Sequence, residues 1–205
     1  MPLVSMPILS MRIAALMLLS LTLSACVTFE RAPVAELDCD PALAGEWRPL
    51  KDGRSGPPIQ VSADCSVRWP EDEGGIYTTT LGGFELGGSR YFVFTPTVAD
   101  RLMSADDDMQ RKAPKDSVFI ARYRIDGDTA QVWLADPDEA MRPDAMRPPA
   151  KDQAAAVRLG DNAHVKGSRD AIAEWLRARG DVIFAAKPDG SGVMRLQRVA
   201  AAAAP

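Results

Sequence analysis

His164 is the only histidine in the chain, and it follows the turn-forming run Gly160-Asp161-Asn162. Structural zinc is usually held by four Cys or His ligands, and one histidine without a cysteine nearby does not supply such a set. A serine-histidine-acid triad needs an exposed nucleophile, and the chain contains no Gly-x-Ser-x-Gly turn. The sequence therefore predicts that His164 is an exposed loop histidine.

Acidic and sulfur-bearing residues offer other potential ligands. The runs Glu71-Asp72-Glu73 and Asp106-Asp107-Asp108 carry carboxylates, but neither has the alternating spacing of an EF-hand calcium loop. Met141 and Met146 are soft donors without a neighbouring His or Cys. No glycine pair precedes the Lys-Ser/Thr of a phosphate-binding loop. We therefore predict no metal, no cofactor and no enzymatic activity; a hydrolase that uses acidic residues is the least favoured alternative.

The amino-terminal segment has the pattern of an export signal. Arg12 precedes the uncharged run Ile13–Ala25, and Cys26 follows. A short apolar run that ends in small residues is typical of a secretory signal peptide, whereas a membrane-spanning helix needs about 20 apolar residues. We predict that residues 1–25 are removed on export. A translation start at Met11 would give the compact Met-Arg opening of such leaders.

Leu23-Ser24-Ala25-Cys26 resembles the lipobox of bacterial lipoproteins, in which a large apolar residue and two small ones precede a cysteine. The resemblance implies diacylglycerol on the Cys26 sulfur, cleavage after Ala25 and acylation of the new amino terminus. Several acyl chains make attachment to a membrane effectively permanent. In this family an Asp after the cysteine favours the inner membrane, and Val27 stands there instead. The resemblance thus implies an outer-membrane, periplasm-facing protein; the alternative is an ordinary secreted protein.

Composition restricts the partners of the exported chain. Loss of Arg12 with the leader changes the formal net charge from −4 to about −5. A mildly acidic chain is not expected to bind nucleic acid, since nucleic-acid binders carry a clustered basic face. The remaining length of about 180 residues fits one domain. We predict a lipidated cysteine and spacer over 26–40 and one domain over 41–200.

Cys39 and Cys65 remain after lipidation of Cys26, in a compartment that is kept oxidising. We predict a disulfide between them, with two separate thiols as the alternative. It would close a loop of about 25 residues and add about 3 kcal/mol in the entropic model.

Alternation of apolar and polar residues predicts most strands. Residues 59–69 read as a hairpin that turns near Ala63-Asp64, and residues 76–81 and 91–95 are rich in β-branched and aromatic residues. A clearer hairpin joins 118–125 to 129–134. Phe119 and Tyr123 lie on one face, and Arg122 and Arg124 lie on the other face, which is expected to be exposed to solvent. The last predicted hairpin joins 182–186 to 193–199.

Two segments interrupt this pattern. Proline is so frequent in 136–151 that we predict a loop or mobile insertion there. Residues 168–179 read as an amphipathic helix with Ser168 as N-cap and Gly180 as its stop. The tail 201–205 is expected to be disordered. The fold class is therefore mainly β, an antiparallel small barrel or sandwich of about 8–9 strands, with one helix before the last hairpin.

Gly45-Glu46-Trp47 resembles the Gly-x-Trp motif that begins the first strand of lipocalins. The resemblance implies that Arg195 or Arg198, in the last strand, packs over Trp47 and closes one end of a barrel. It also implies a ligand cavity, which Phe119 and Tyr123 would line. Lipocalins place their main helix after the last barrel strand, and Trp47 could instead be a core residue of another β fold.

Two functional interpretations follow. The first is a lipid-anchored, non-catalytic module that binds an envelope protein or maintains the envelope. The second is a lipocalin-like carrier of small apolar ligands. A hollow or filled barrel interior distinguishes them.

Overall fold

The structure, a computed structural model, describes residues 26–51, 54–71, 74–103, 113–146, 152–187, 190 and 192–200. Several predictions lie outside these residues: the leader 1–25 with Leu23, Ser24 and Ala25, the run Asp106-Asp107-Asp108, residues Asp72 and Glu73, part of the Pro-rich segment and the tail 201–205. None of the described helices has the length and apolar character that a membrane span requires.

The larger of two sheets is antiparallel and forms a nearly closed barrel. Its strands are β2 (Gly45–Lys51), β3 (Arg54–Ser55), β4 (Ile59–Val61), β5 (Ser66–Pro70), β6 (Ile76–Thr80), β7 (Gly82–Leu86), β8 (Ser89–Phe94), β9 (Phe119–Asp126), β10 (Thr129–Leu134) and β13 (Val193–Arg198). The order is β6-β5-β4-β2-β13-β10-β9-β8-β7, and β3 pairs with β2. The predicted mainly β, antiparallel fold is confirmed, in its barrel-like form.

The smaller sheet contains three strands in the order β1-β12-β11. They are β1 (Val27–Phe29), β11 (Ala155–Leu159) and β12 (Asn162–Lys166), with β1 parallel to β12. The described helices are a 3₁₀ helix (Pro41–Leu43), α1 (Pro96–Met103), α2 (Pro137–Ala140) and α3 (Arg169–Ile183).

The hairpin of β9 and β10 forms where the sequence predicts it. Gly127, in the turn, has a φ of 56°, which a glycine adopts without strain. Along β9, Phe119 and Tyr123 are buried and Arg124 is exposed, as the alternation requires. The hairpin of β4 and β5 is likewise confirmed.

Two apolar cores stabilise the fold. One fills the barrel; its buried members are Leu43, Trp47, Ile59, Val61, Val67, Phe92, Ala121, Tyr123, Ala130 and Val132. The other lies where the small sheet and α3 pack on the outside of the barrel, and its largest buried members are Phe29, Phe84, Tyr91, Ile120, Ile172, Trp175, Leu176, Ile183 and Phe184.

The first residues of the predicted spacer belong to the folded domain. Val27 and Phe29 lie in β1 and are 3% and 0% exposed. The N–H of Phe29 donates to the carbonyl of Val118 at 2.8 Å, which ties the small sheet to the strand that follows. The spacer prediction is wrong for these residues because they pair with β12, which lies far along the sequence.

Helix α3 begins as predicted and ends later. The Ser168 hydroxyl accepts from the N–H of Ala171 at 3.2 Å, which confirms the N-cap. Gly180 does not stop the helix, which continues to Ile183. A Cβ at Gly180 would lie 3.0 Å from the Tyr91 hydroxyl, so this glycine allows α3 to approach β8 closely. Because Val182 is helical, the predicted last hairpin is wrong, and β13 pairs with β10 and β2.

The described part of the Pro-rich segment 136–151 packs against the second core. Asp136 caps α2, and Pro137 opens it, a position where the missing N–H of proline costs nothing. Ala140 and Ala145 are buried. Of the two alternatives, a loop or a mobile insertion, the loop describes residues 141–146, which form turns, while residues 137–140 form one helical turn; this described part is packed rather than inserted as a separate segment.

Candidate functional site

The interior of the barrel contains an apolar cavity of about 90 Å³, which is partly open to the outside. Its wall is built of apolar and aromatic side chains that include Trp47, Phe92, Tyr123 and Val132. Phe119, the other predicted cavity residue, is buried but does not belong to this wall. Pockets for drug-sized ligands measure about 300–1,000 Å³. The interior is therefore nearly filled and has room only for a small apolar group.

Trp47 and Arg198 close one end of the barrel. The Arg198 guanidinium carbon lies 4.1 Å from the centre of the Trp47 ring. The Trp47 indole N–H donates to the carbonyl of Leu43 at 2.7 Å, and Arg198 donates to the carbonyls of Ala42 and Ala44. Of the two candidate arginines, Arg198 thus packs over Trp47. Arg195 is exposed and lies opposite Leu50.

The backbone conformation and the surroundings of Gly45, next to Trp47 and Arg198, explain why a glycine stands at this position. Its φ is 134°, which side-chain-bearing residues rarely adopt. A Cβ there would lie 2.6 Å from Nη1 of Arg198. The glycine of the Gly-x-Trp motif thus leaves room for the arginine that covers the tryptophan.

A polar cluster lies beside the 3₁₀ helix. The Tyr123 hydroxyl donates to Oδ2 of Asp40 at 2.8 Å, and Nη1 of Arg90 donates to the same oxygen at 2.9 Å. Burial, reinforced by the hydrogen bond to Asp40, raises the pKa of Tyr123 above its ordinary value. Tyr123 is therefore a neutral hydrogen-bond donor at physiological pH, and it links the apolar cavity to the polar surface.

The predicted disulfide between Cys39 and Cys65 is confirmed, with 5.6 Å between the Cα atoms. Cys65 is buried and Cys39 exposed. The bond joins the segment before the 3₁₀ helix to the turn between β4 and β5. The disulfide thereby fixes the 3₁₀ helix at the end of the barrel that Trp47 and Arg198 close.

His164 is buried in β12, so the prediction of an exposed loop histidine is wrong. Its Nδ1 lies 2.9 Å from the Thr28 hydroxyl. Burial lowers the pKa of His164, with Lys166 acting in the same direction and Glu30 opposing it. The sequence did not reveal this burial because β12 is the central strand of the small sheet, and its neighbour β1 is a strand that the alternation pattern does not indicate.

The stability of the protein is expected to fall as the pH drops below about 6.5, the ordinary value for unfolded histidine. Because folding lowers the pKa of His164, the unfolded chain binds more protons between the two pKa values. The slope is at most about 1.4 kcal/mol per pH unit for one proton. Urea unfolding at several pH values measures it. Since His164 is the only histidine, His164→Gln should flatten this window, and an unchanged slope in the variant would contradict the assignment.

Cys26 stands directly at the edge of the folded domain. It is half-buried; its backbone N–H donates to Oδ1 of Asn162 at 2.8 Å, and its carbonyl accepts from the N–H of Ala163 at 2.9 Å. Val27, which follows, is already in the core. No flexible segment separates the predicted lipidation site from the first strand.

Other candidate ligands are dispersed. Met141 and Met146 pack against the second core. Within the described ranges, no three His, Cys, Asp or Glu side chains gather in a way that could hold a metal ion. Among the carboxyl groups that the structure describes, three have a pKa that clearly departs from its ordinary value, and all three are lowered. Hydrogen bonds from Gly167, Ser62 and Arg179 are the main causes at Glu30, Asp64 and Asp144, respectively.

No family model matches the chain, and no curated protein matches it. Among solved structures, a DUF4909 family protein from Staphylococcus aureus subsp. aureus Mu50 is similar, with 12% identity and a TM-score of 0.40 over 78% of this chain and 100% of the other. A likeness at this level carries no argument about function.

Proposed function

We propose that this chain is a lipid-anchored lipoprotein of the bacterial cell envelope whose barrel domain is a non-catalytic binding or envelope-maintenance module. The observation that carries the proposal is the position of Cys26 at the first strand, held by Asn162 and Ala163. Cleavage after Ala25, implied by the lipobox resemblance, would keep β1 and these hydrogen bonds. The acyl chains would then hold the domain at the membrane surface without a spacer.

The outer membrane is the proposed location, with the domain facing the periplasm. The support is Val27, which occupies the place where an Asp favours retention at the inner membrane. Val27 also packs in the second core, at 3% exposure. Val27 therefore has a packing role in the domain, in addition to the sorting role that this proposal assigns to it.

Replacement of Cys26 by serine is expected to abolish palmitate incorporation and to release the protein from the membrane fraction. The change removes the sulfur that would carry diacylglycerol and leaves the backbone hydrogen bonds of residue 26 in place. The measurement is radiolabelled palmitate followed by fractionation of cells that express either form. As a control, the free energy of unfolding should change by less than about 0.5 kcal/mol. Labelling of the variant, or no labelling of the natural chain, would contradict lipidation.

A hydrolase that uses acidic residues is not proposed. Such an enzyme needs a carboxylic acid whose pKa is raised so that it can donate a proton. The described carboxyl groups with clear pKa shifts, Glu30, Asp64 and Asp144, are lowered. Hydrogen bonds and ion pairs stabilise the ionised form of these carboxyl groups, which is the opposite of what a proton donor requires.

The second candidate is a carrier of small apolar ligands, and the purely apolar wall of the cavity favours it. The volume of about 90 Å³ limits the occupant to a small group or to the tip of an acyl chain. Native mass spectrometry of protein from cells tests the carrier directly. A co-purified apolar molecule would support it, and its consistent absence would leave the first proposal.

Ala130→Val is expected to stabilise the protein by about 1 kcal/mol, because Ala130 lines the cavity and two added methyl groups would fill it. Ala121→Val is the matched control. Ala121 is also a buried strand alanine of the barrel core, but it lies outside the cavity wall, so the larger side chain should destabilise by about 1–3 kcal/mol. Urea denaturation measures both. Equal destabilisation by the two changes would show that the cavity is absent in solution.

A further inference from the structure

A second cleft lies at the start of β8 and along β9, outside the apolar cavity. Its volume is about 440 Å³, within the range of small-molecule sites. Three arginines line it: Arg90, Arg122 and Arg124. Trp133 and Ile125 add an apolar wall. The chain as a whole carries a net charge of −4, so three guanidinium groups in one cleft run against its average composition.

Arg122 is held rigidly. Its Nη1 donates to Oδ1 of Asp181 at 2.9 Å, and its Nη2 donates to the carbonyl of Phe184 at 2.9 Å. Its guanidinium carbon lies 5.2 Å from the centre of the Trp133 ring. A planar guanidinium that is already ordered loses little freedom when it binds an anion. Arg122 thus offers its remaining N–H groups in a preformed arrangement.

The charge of this cleft is only partly neutralised. The Arg122 side chain is 18% exposed, whereas Asp181 is 98% exposed, so water screens the carboxylate more than the guanidinium. Arg90 is paired with Asp40. Arg124 is exposed and makes no ion pair within the part of the chain that the structure describes. Glu85 lies opposite Arg90 in the β7–β8 pair, so Asp40 and Glu85 together offset the charge of Arg90. The positive charge that remains in the cleft is that of Arg124 and the part of the Arg122 charge that the solvent-exposed Asp181 does not neutralise.

We propose that this cleft binds a phosphate group, with an adjoining apolar part of the ligand against Trp133 and Ile125. Guanidinium groups match the spacing of phosphate oxygens and bind them in pairs. A phosphate carries more acceptor oxygens and more negative charge than a carboxylate, so it can engage two guanidinium groups from different directions. The phosphate could belong to the headgroup of an anionic lipid or to a soluble phosphate ester. The proposal does not depend on lipidation of Cys26.

The test is titration calorimetry with glycerol 3-phosphate on the full-length protein in a neutral detergent. Arg124→Gln should weaken binding by about tenfold, because one charge-assisted contact is lost. Arg158→Gln is the matched control: it removes one positive charge from another exposed position and should leave the affinity unchanged. Both variants should keep the unfolding temperature of the natural protein.

A second arm identifies the source of the phosphate. The titration is repeated after addition of nanodiscs of phosphatidylcholine alone or of phosphatidylcholine with phosphatidylglycerol to the protein, which requires no anchor on the protein. Weaker binding of glycerol 3-phosphate in the phosphatidylglycerol discs would mean that the lipid headgroup occupies the cleft. Equal binding in both would assign a soluble ester. Absence of glycerol 3-phosphate binding in detergent, or equal weakening by Arg124→Gln and Arg158→Gln, would overturn the proposal.

Discussion

Replacing Phe29 by alanine is expected to lower the free energy of unfolding by about 3–5 kcal/mol. The Phe29 side chain is 0% exposed and meets the Trp175 ring edge-on at 5.9 Å between centroids. Its removal would leave a cavity between β1 and α3, where the small sheet joins the barrel. Urea denaturation followed by circular dichroism measures the effect.

Glu36→Ala is the control for this prediction, because Glu36 is an exposed residue of the same predicted spacer. It should change the stability by less than about 0.5 kcal/mol. If Phe29→Ala costs no more than Glu36→Ala, the amino-terminal strand does not pack as the structure shows, and the segment is a spacer after all.

Much of the barrel was predictable because most of its strands pair with strands that are near in the sequence; β13, which pairs with β2 and β10, is the exception and the strand whose partner was predicted wrongly. The hairpin of β9 and β10 has an Asp-Gly turn between two alternating segments, and that information is local. The same alternation placed Tyr123 inside the barrel and Arg124 outside. The disulfide was predicted from the number of cysteines and the predicted oxidising compartment, without any structural information.

The small sheet was not predictable in this way. Strand β1 has three residues, and its partner β12 is about 135 positions away, as the hydrogen bond from Thr28 to the carbonyl of Ala163 shows. Three residues contain too little alternation to indicate a strand. Without β1, nothing in the sequence indicates that His164 is covered. Both errors, the spacer and the exposed histidine, have this one cause.

The arginine cleft shows a similar limit. The alternation of apolar and polar residues predicts that Arg122 and Arg124 lie on the solvent-exposed face of their hairpin, and Arg124 is exposed. Arg122 is mostly covered because the end of α3 brings Asp181 and Phe184 to it. The sequence analysis predicted that this helix stops at Gly180, which comes before Asp181 and Phe184 in the chain. The part of the cleft that depends on tertiary contact was therefore outside the reach of local patterns.

Replacing Cys39 by alanine is expected to lower the free energy of unfolding by about 3 kcal/mol. The disulfide closes a loop with a sequence separation of 26, and its loss gives the unfolded chain more conformations. Cys39 is the better residue to change because it is exposed, whereas Cys65 is buried and has a φ of 60°. A change at Cys65 would add packing and backbone costs to the loss of the bond. Urea denaturation of both forms under oxidising conditions measures the effect.

Reductant supplies the control for the Cys39 variant. Natural protein in a strong thiol reductant should lose the same stability as Cys39→Ala, because both lack the bond. The variant itself should not respond, so the gap between the two proteins closes. A gap that persists under reduction would mean that the Cys39 side chain contributes contacts of its own. The loss in the variant would then measure those contacts together with the covalent bond.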